Sequence, residues 1–156
     1  MPVNWIDVNP LSFNSLLLLE QVQLSWLPGW LHEDELAIAL QSNPVVEWYL
    51  RHKCPQIDGW VNQIMERVAG TNLPAAERVR QAELAILSQI NDLLVYAIDP
   101  NLYDAQPFLS WNSDELRLLT DWQGKKVIDV GSGTGRLAFV AAEQACNVFA
   151  VEPVAN

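Results

Sequence analysis

Lysine and arginine are missing from the first 50 residues, which hold six acids: Asp7, Glu20, Glu33, Asp34, Glu35 and Glu47. The first base is Arg51, and the 156 residues together carry nine bases against nineteen acids, a net charge of −10. Such a balance argues against a nucleic-acid partner, because grooves that hold phosphate are lined by clustered Lys and Arg. The same absence argues against a secretory signal, which needs a basic start, and against an Arg-rich transit peptide. Long apolar runs are also lacking: Leu16 to Leu19 is stopped by Glu20, far short of the roughly 18 residues of a membrane span. Cysteine is scarce. Cys54 and Cys146 stand far apart with no CxxC partner, which fits a reducing, cytoplasmic compartment. His32 and His52 have no Cys or His at metal-ligand spacing, so they are expected as solvated residues at helix ends and no metal site is expected. Internal repeats, low-complexity tracts and Gly/Ser-rich linkers are absent too.

What remains is a globular composition, with 50% hydrophobic residues and seven tryptophans. A chain of this length buries roughly 70% of its unfolded surface. Trp26, Trp30, Trp48 and Trp60 are expected in the core rather than in a ligand cage.

Most of the chain reads as helix. Asn9-Pro10 has the cap-and-proline form of a helix start, opening a Leu-rich segment to about Leu27 that Pro28-Gly29 breaks. A short helix follows, with Glu33, Asp34 and Glu35 in its first turn, where acids meet the positive end of the helix dipole; this run is expected to be solvated. Asn43-Pro44 repeats the start signal for a helix to Lys53. Ile57, Trp60, Val61, Ile64 and Val68 share one helical face up to Gly70. The spacing predicts the longest helix from Pro74 to about Ile98, with two apolar stripes. After an aromatic connector, Asn112 and Glu115 have the form of a capping box for a last helix ending near Trp122.

From Lys125 the pattern changes. Val127-Ile128-Asp129-Val130 is a short apolar run of the kind buried inside a parallel sheet. Gly131, Gly133 and Gly135 follow within five residues, then a helical stretch from Arg136 to Ala145 and a second apolar run, Asn147 to Val151. Glu152 closes it, 17 residues after Gly135. Glycines of this density let the backbone reverse tightly and approach a ligand, and the following helix start offers free N–H groups. An acid at the tip of the second strand suits a ribose diol.

The glycine spacing narrows the ligand. The dinucleotide fingerprint G-x-G-x-x-G would need glycine at position 136, which is Arg136. The order here, Asp129-Val-Gly131-Ser-Gly133-Thr-Gly135, resembles motif I of the class I S-adenosylmethionine-dependent methyltransferases, and Glu152 matches the acid that follows it in that family. The resemblance covers residues 125 to 152. It implies that the methionine part of S-adenosylmethionine lies by the glycine loop, that Asp129 helps hold its amino group, and that Asp129, Gly131, Gly133, Gly135 and Glu152 form the cofactor site. The fold class expected is therefore α/β: an all-helical N-terminal region over 1–124, then over 125–156 the first β-α-β unit of a Rossmann-like domain with an incomplete sheet.

That family builds a sheet of about seven strands, of which two are supplied here. The chain is thus expected to be the N-terminal part of a methyltransferase, inactive alone, that self-associates or pairs with a missing C-terminal half through its unpaired strand edges. The methyl acceptor is a small molecule or a protein, and no catalytic residue is named by the sequence. The alternative is a non-catalytic helical interaction module with an inherited cofactor loop.

Overall fold

The structure is a computed structural model describing residues 5–105, 113–144 and 147–153. It is mixed α/β, mostly helical, with one two-stranded parallel sheet. The chain divides into two compact units, Met1–Ile98 and Asp99–Asn156.

In the first unit the Leu-rich opening is a 3₁₀ helix, Phe13–Leu18, followed by a single α-turn, α1 (Gln21–Leu24). The expected α-helix from Pro10 does not form. Phe13, Leu16 and Leu19 recur every third residue and are at most 1% exposed; a three-residue turn puts such a series on one face, which a 3.6-residue turn would not. Ser12, not Asn9, caps it, its side chain accepting from the Asn14 amide at 3.2 Å.

Helices α2 (Glu33–Ser42), α3 (Pro44–Lys53) and α4 (Asp58–Glu66) lie close to where the first-turn acids, Pro44 and the apolar face from Ile57 put them. Asn43 precedes α3 without capping it: its Nδ2 donates back to the Ala39 carbonyl and across to Glu83, both at 2.8 Å. The stretch expected to be the longest helix is two, α5 (Ala76–Gln89) and α6 (Asn91–Ile98), broken at Ile90. The break serves Asn91, which is 1% exposed. Its Oδ1 accepts from the Trp5 and Ile6 amides at 2.8 and 3.1 Å, and its Nδ2 donates to the Ile6 carbonyl at 2.8 Å.

Helix α2 is the centre of this unit, packing on α3, α4 and α5. Leu36, Leu40, Leu50, Ile64, Ile86 and Leu87 are fully buried in one cluster, each worth roughly 1.5–3 kcal/mol of transfer free energy. The acids at the start of α2 are not simply solvated. Glu33 accepts from Trp60 Nε1 at 2.9 Å and pairs with Arg67, Asp34 pairs with Arg67 at 2.6 Å, and Glu35 takes both Arg78 nitrogens at 2.6 and 2.8 Å. The dipole-favoured acids thus also tie α2 to its neighbours. The tryptophans depart from the expected core: Trp26, Trp30 and Trp48 are 43, 50 and 56% exposed, and only Trp60 is half-buried against the cluster.

Cys54 follows α3 and is wholly buried, and burial pushes its thiol above the ordinary range. Because the neutral thiol is the favoured folded form, that contribution to stability is complete below the ordinary thiol pKa and is lost as pH rises through the raised one. At neutral pH, Cys54 is expected to resist a maleimide in the native chain and to react once urea unfolds it. Mass spectrometry of the labelled peptide checks this, and rapid native labelling would contradict it.

The second unit contains α7 (Pro100–Asp104), α8 (Ser113–Leu118), β1 (Lys126–Val130), α9 (Arg136–Glu143) and β2 (Asn147–Val151). The expected cap at Asn112 lies outside the described residues. Helix α8 packs on α9, and α9 packs on both strands. The strands are parallel, with Ile128 opposite Phe149, Asp129 opposite Ala150 and Val130 opposite Val151.

The strands are not buried on both sides as their apolar runs suggest. Alternation puts Val127 and Asp129 on one face, where Val127 is half-buried and Asp129 is buried, and Val140 and Ala141 of α9 are buried too. The other face carries Ile128, Val130, Phe149 and Val151, which are 67, 79, 58 and 52% exposed. Composition prepares a strand for two-sided burial, whereas one helix can cover only one side of a sheet.

Candidate functional site

The site grows from the C-terminal ends of the two strands. Asp129 is the penultimate residue of β1 and is 9% exposed. Beyond Val130 the chain turns through Gly131, Gly133 and Gly135, all at positive φ, 72°, 55° and 83°. At Gly135 there is also a close approach: a Cβ would stand 3.3 Å from Cε2 of Phe139, tighter than ordinary van der Waals contact. A side chain at either Gly133 or Gly135 would therefore force the turn out of shape.

The turn is held by the end of β2. The Gly131 and Ser132 amides both donate to the Val151 carbonyl, at 2.8 and 3.2 Å, and the Gly133 amide donates to Glu152 Oε2 at 2.8 Å. Gly135 N donates to the Ser132 carbonyl at 2.8 Å, and the Gly135 carbonyl accepts from Phe139 N at 2.9 Å, leading into α9. Four loop amides are thus bonded within the unit. The structure joins Glu152 to Gly133 directly and sets Asp129 two residues before the turn, so all five residues singled out from the sequence lie along one β-turn-α-β path.

The decisive chemical feature is Asp129. Its Oδ2 is buried and has no hydrogen-bond partner among the described residues. A buried carboxyl oxygen without a donor is rare and costly, and calls for an explanation such as an absent ligand or water. Two carboxylates beside a glycine turn suit a ligand that brings donors, an ammonium and hydroxyls. They oppose a pyrophosphate, which brings negative charge and acceptors.

Phe139 was not singled out from the sequence. It is 69% exposed and lies against Gly135; its place four residues after the last glycine, on the first turn of the helix, was the available signal. Of the histidines, His52 stacks on Trp48 with ring centroids 4.3 Å apart, and the His32 amide donates to Gln89. Among the described residues no cluster of His, Cys, Asp or Glu could hold a metal ion, and no helix is long and apolar enough to cross a membrane. A polar cleft of about 510 Å³ between Arg117, Trp122 and Glu143 opens at the far end of α9. It contains neither Asp129 nor Glu152.

Comparison with protein-family models, with curated proteins and with solved structures finds no match for this chain.

Proposed function

We propose that the glycine turn is the S-adenosylmethionine site of a Rossmann-like methyltransferase domain. The observation that carries this reading is the buried Oδ2 of Asp129, which has no partner among the described residues, beside a turn whose Gly133 amide donates to Glu152. In this reading Asp129 receives the ammonium of the methionine part, Glu152 receives the ribose hydroxyls, and Gly131, Gly133 and Gly135 keep the backbone low enough for contact. When bound, the cofactor supplies an electrophilic methyl group. The chain's own residues bind and orient it for in-line transfer, and none of the described residues is assigned as the catalytic group. The acceptor is a small molecule or a protein, since the net charge of −10 disfavours a nucleic acid, and the compartment we propose is the cytoplasm. The exposed pairs Ile128–Phe149 and Val130–Val151 support self-association or pairing with a complementary C-terminal half.

Titration calorimetry of the full chain tests the cofactor. Saturable one-to-one binding of S-adenosylmethionine with no binding of NAD is expected. Preference for NAD, or heat from neither, overturns the reading and favours the helical interaction module.

A further inference from the structure

A turn with three left-handed glycines is intrinsically loose, because glycine gives up more backbone freedom on ordering than any other residue. This turn is nevertheless closed. Two of its amides are fixed by the Val151 carbonyl, a bond that continues the parallel ladder and depends on no side chain. The Gly133 amide, next along the turn, donates instead to a side chain, the Glu152 carboxylate, 19 residues away.

We propose that Glu152 is a positioning residue that locks the glycine turn before any ligand arrives. A carboxylate accepting a backbone N–H makes a stronger bond than a neutral acceptor does. Holding the turn in advance removes ordering entropy that a ligand would otherwise have to offset. Taken with the cofactor reading above, on which this part rests, one carboxylate serves two partners: the Gly133 amide and the ribose diol. Loss of Glu152 then weakens every ligand of the turn, including one with no diol to offer. A residue that only received the sugar would show no such effect.

Hydrogen exchange at single amides of the unliganded full chain, followed by NMR, tests the lock without any cofactor. In Glu152→Ala the Gly133 amide is expected to exchange roughly tenfold faster or more, while the Gly131 amide, bonded to the Val151 carbonyl, keeps its wild-type rate. Glu152→Gln, whose side-chain carbonyl still accepts, is expected to restore slow exchange at Gly133. Equal Gly133 rates in all three proteins overturn the lock, and so does parallel acceleration at Gly131 and along β1, which would mean general loosening. Calorimetry adds the second arm, using S-adenosylmethionine and its 2′,3′-dideoxy analogue. Glu152→Ala is expected to weaken both, and an unchanged affinity for the dideoxy analogue would confine Glu152 to the sugar. If the wild-type chain binds neither compound, the cofactor reading fails while the exchange result still decides the lock.

Discussion

Gly133→Val is expected to weaken S-adenosylmethionine binding by about a hundredfold or more in calorimetry, with the helical unit Met1–Ile98 melting as before. The backbone at Gly133 has φ of 55°, a left-handed conformation that costs a side chain roughly 1–2 kcal/mol and a β-branched one more. Relieving that strain rotates the amide away from Glu152, 2.8 Å distant, and forfeits a charge-assisted bond worth about 1.5–3 kcal/mol. The two terms act together because a ligand can use the turn only in its present shape. Gly133→Ala should show a smaller loss, since alanine tolerates the left-handed region better than valine. Equal affinity for valine and glycine would mean that the ligand does not use the turn.

The largest expected effect on stability belongs to Asn91→Leu, at about 2–3 kcal/mol, measured as a fall in the urea midpoint of the helical unit. Leucine shares asparagine's branched outline and is more apolar, so burial of apolar surface alone would favour the change. Three hydrogen bonds decide otherwise: the substitution removes the acceptor used by the Trp5 and Ile6 amides and the donor to the Ile6 carbonyl. The segment they fix should also become sensitive to proteolysis while α2 to α5 stay folded. A neutral or stabilising result would show that water replaces Asn91 at no cost.

Where helix ends have local causes, the sequence was legible. The acids of α2, Pro44 of α3 and the apolar face of α4 are all decided within a few residues, and those helices stand where these signals place them. Long-range causes were hidden. Ile90-Asn91 disfavours a continuous helix only weakly; the break between α5 and α6 accompanies a bond to Ile6, 85 residues away. Phe13, Leu16 and Leu19 looked like generic apolar content until the three-residue repeat became a 3₁₀ face. The strand runs were equally misleading about burial, because hydrophobicity records what a strand can tolerate on each side and cannot report how many sides are covered.

The shape of the glycine turn was legible, since glycine spacing acts locally and Gly131, Gly133 and Gly135 all take positive φ. Asp129, Gly131, Gly133, Gly135 and Glu152 could be picked out as a set from Asp129 to the tip of β2. Two features lay beyond sequence reasoning: the direct bond from Gly133 to Glu152, and the lack of a partner for Asp129 Oδ2 among the described residues. Each is a property of where side chains point after the strands have paired.

The closure of the turn by Val151 and Glu152 also sets an order of events during folding. Gly131 and Ser132 cannot find their acceptor until β2 has been synthesised and has docked beside β1, and parallel pairing is slow because the intervening helix must be crossed first. The first strand and its glycines therefore emerge as an open segment, and the turn takes its shape last. In time-resolved folding the Gly131, Ser132 and Gly133 amides should gain protection together with β2, after α9 has formed.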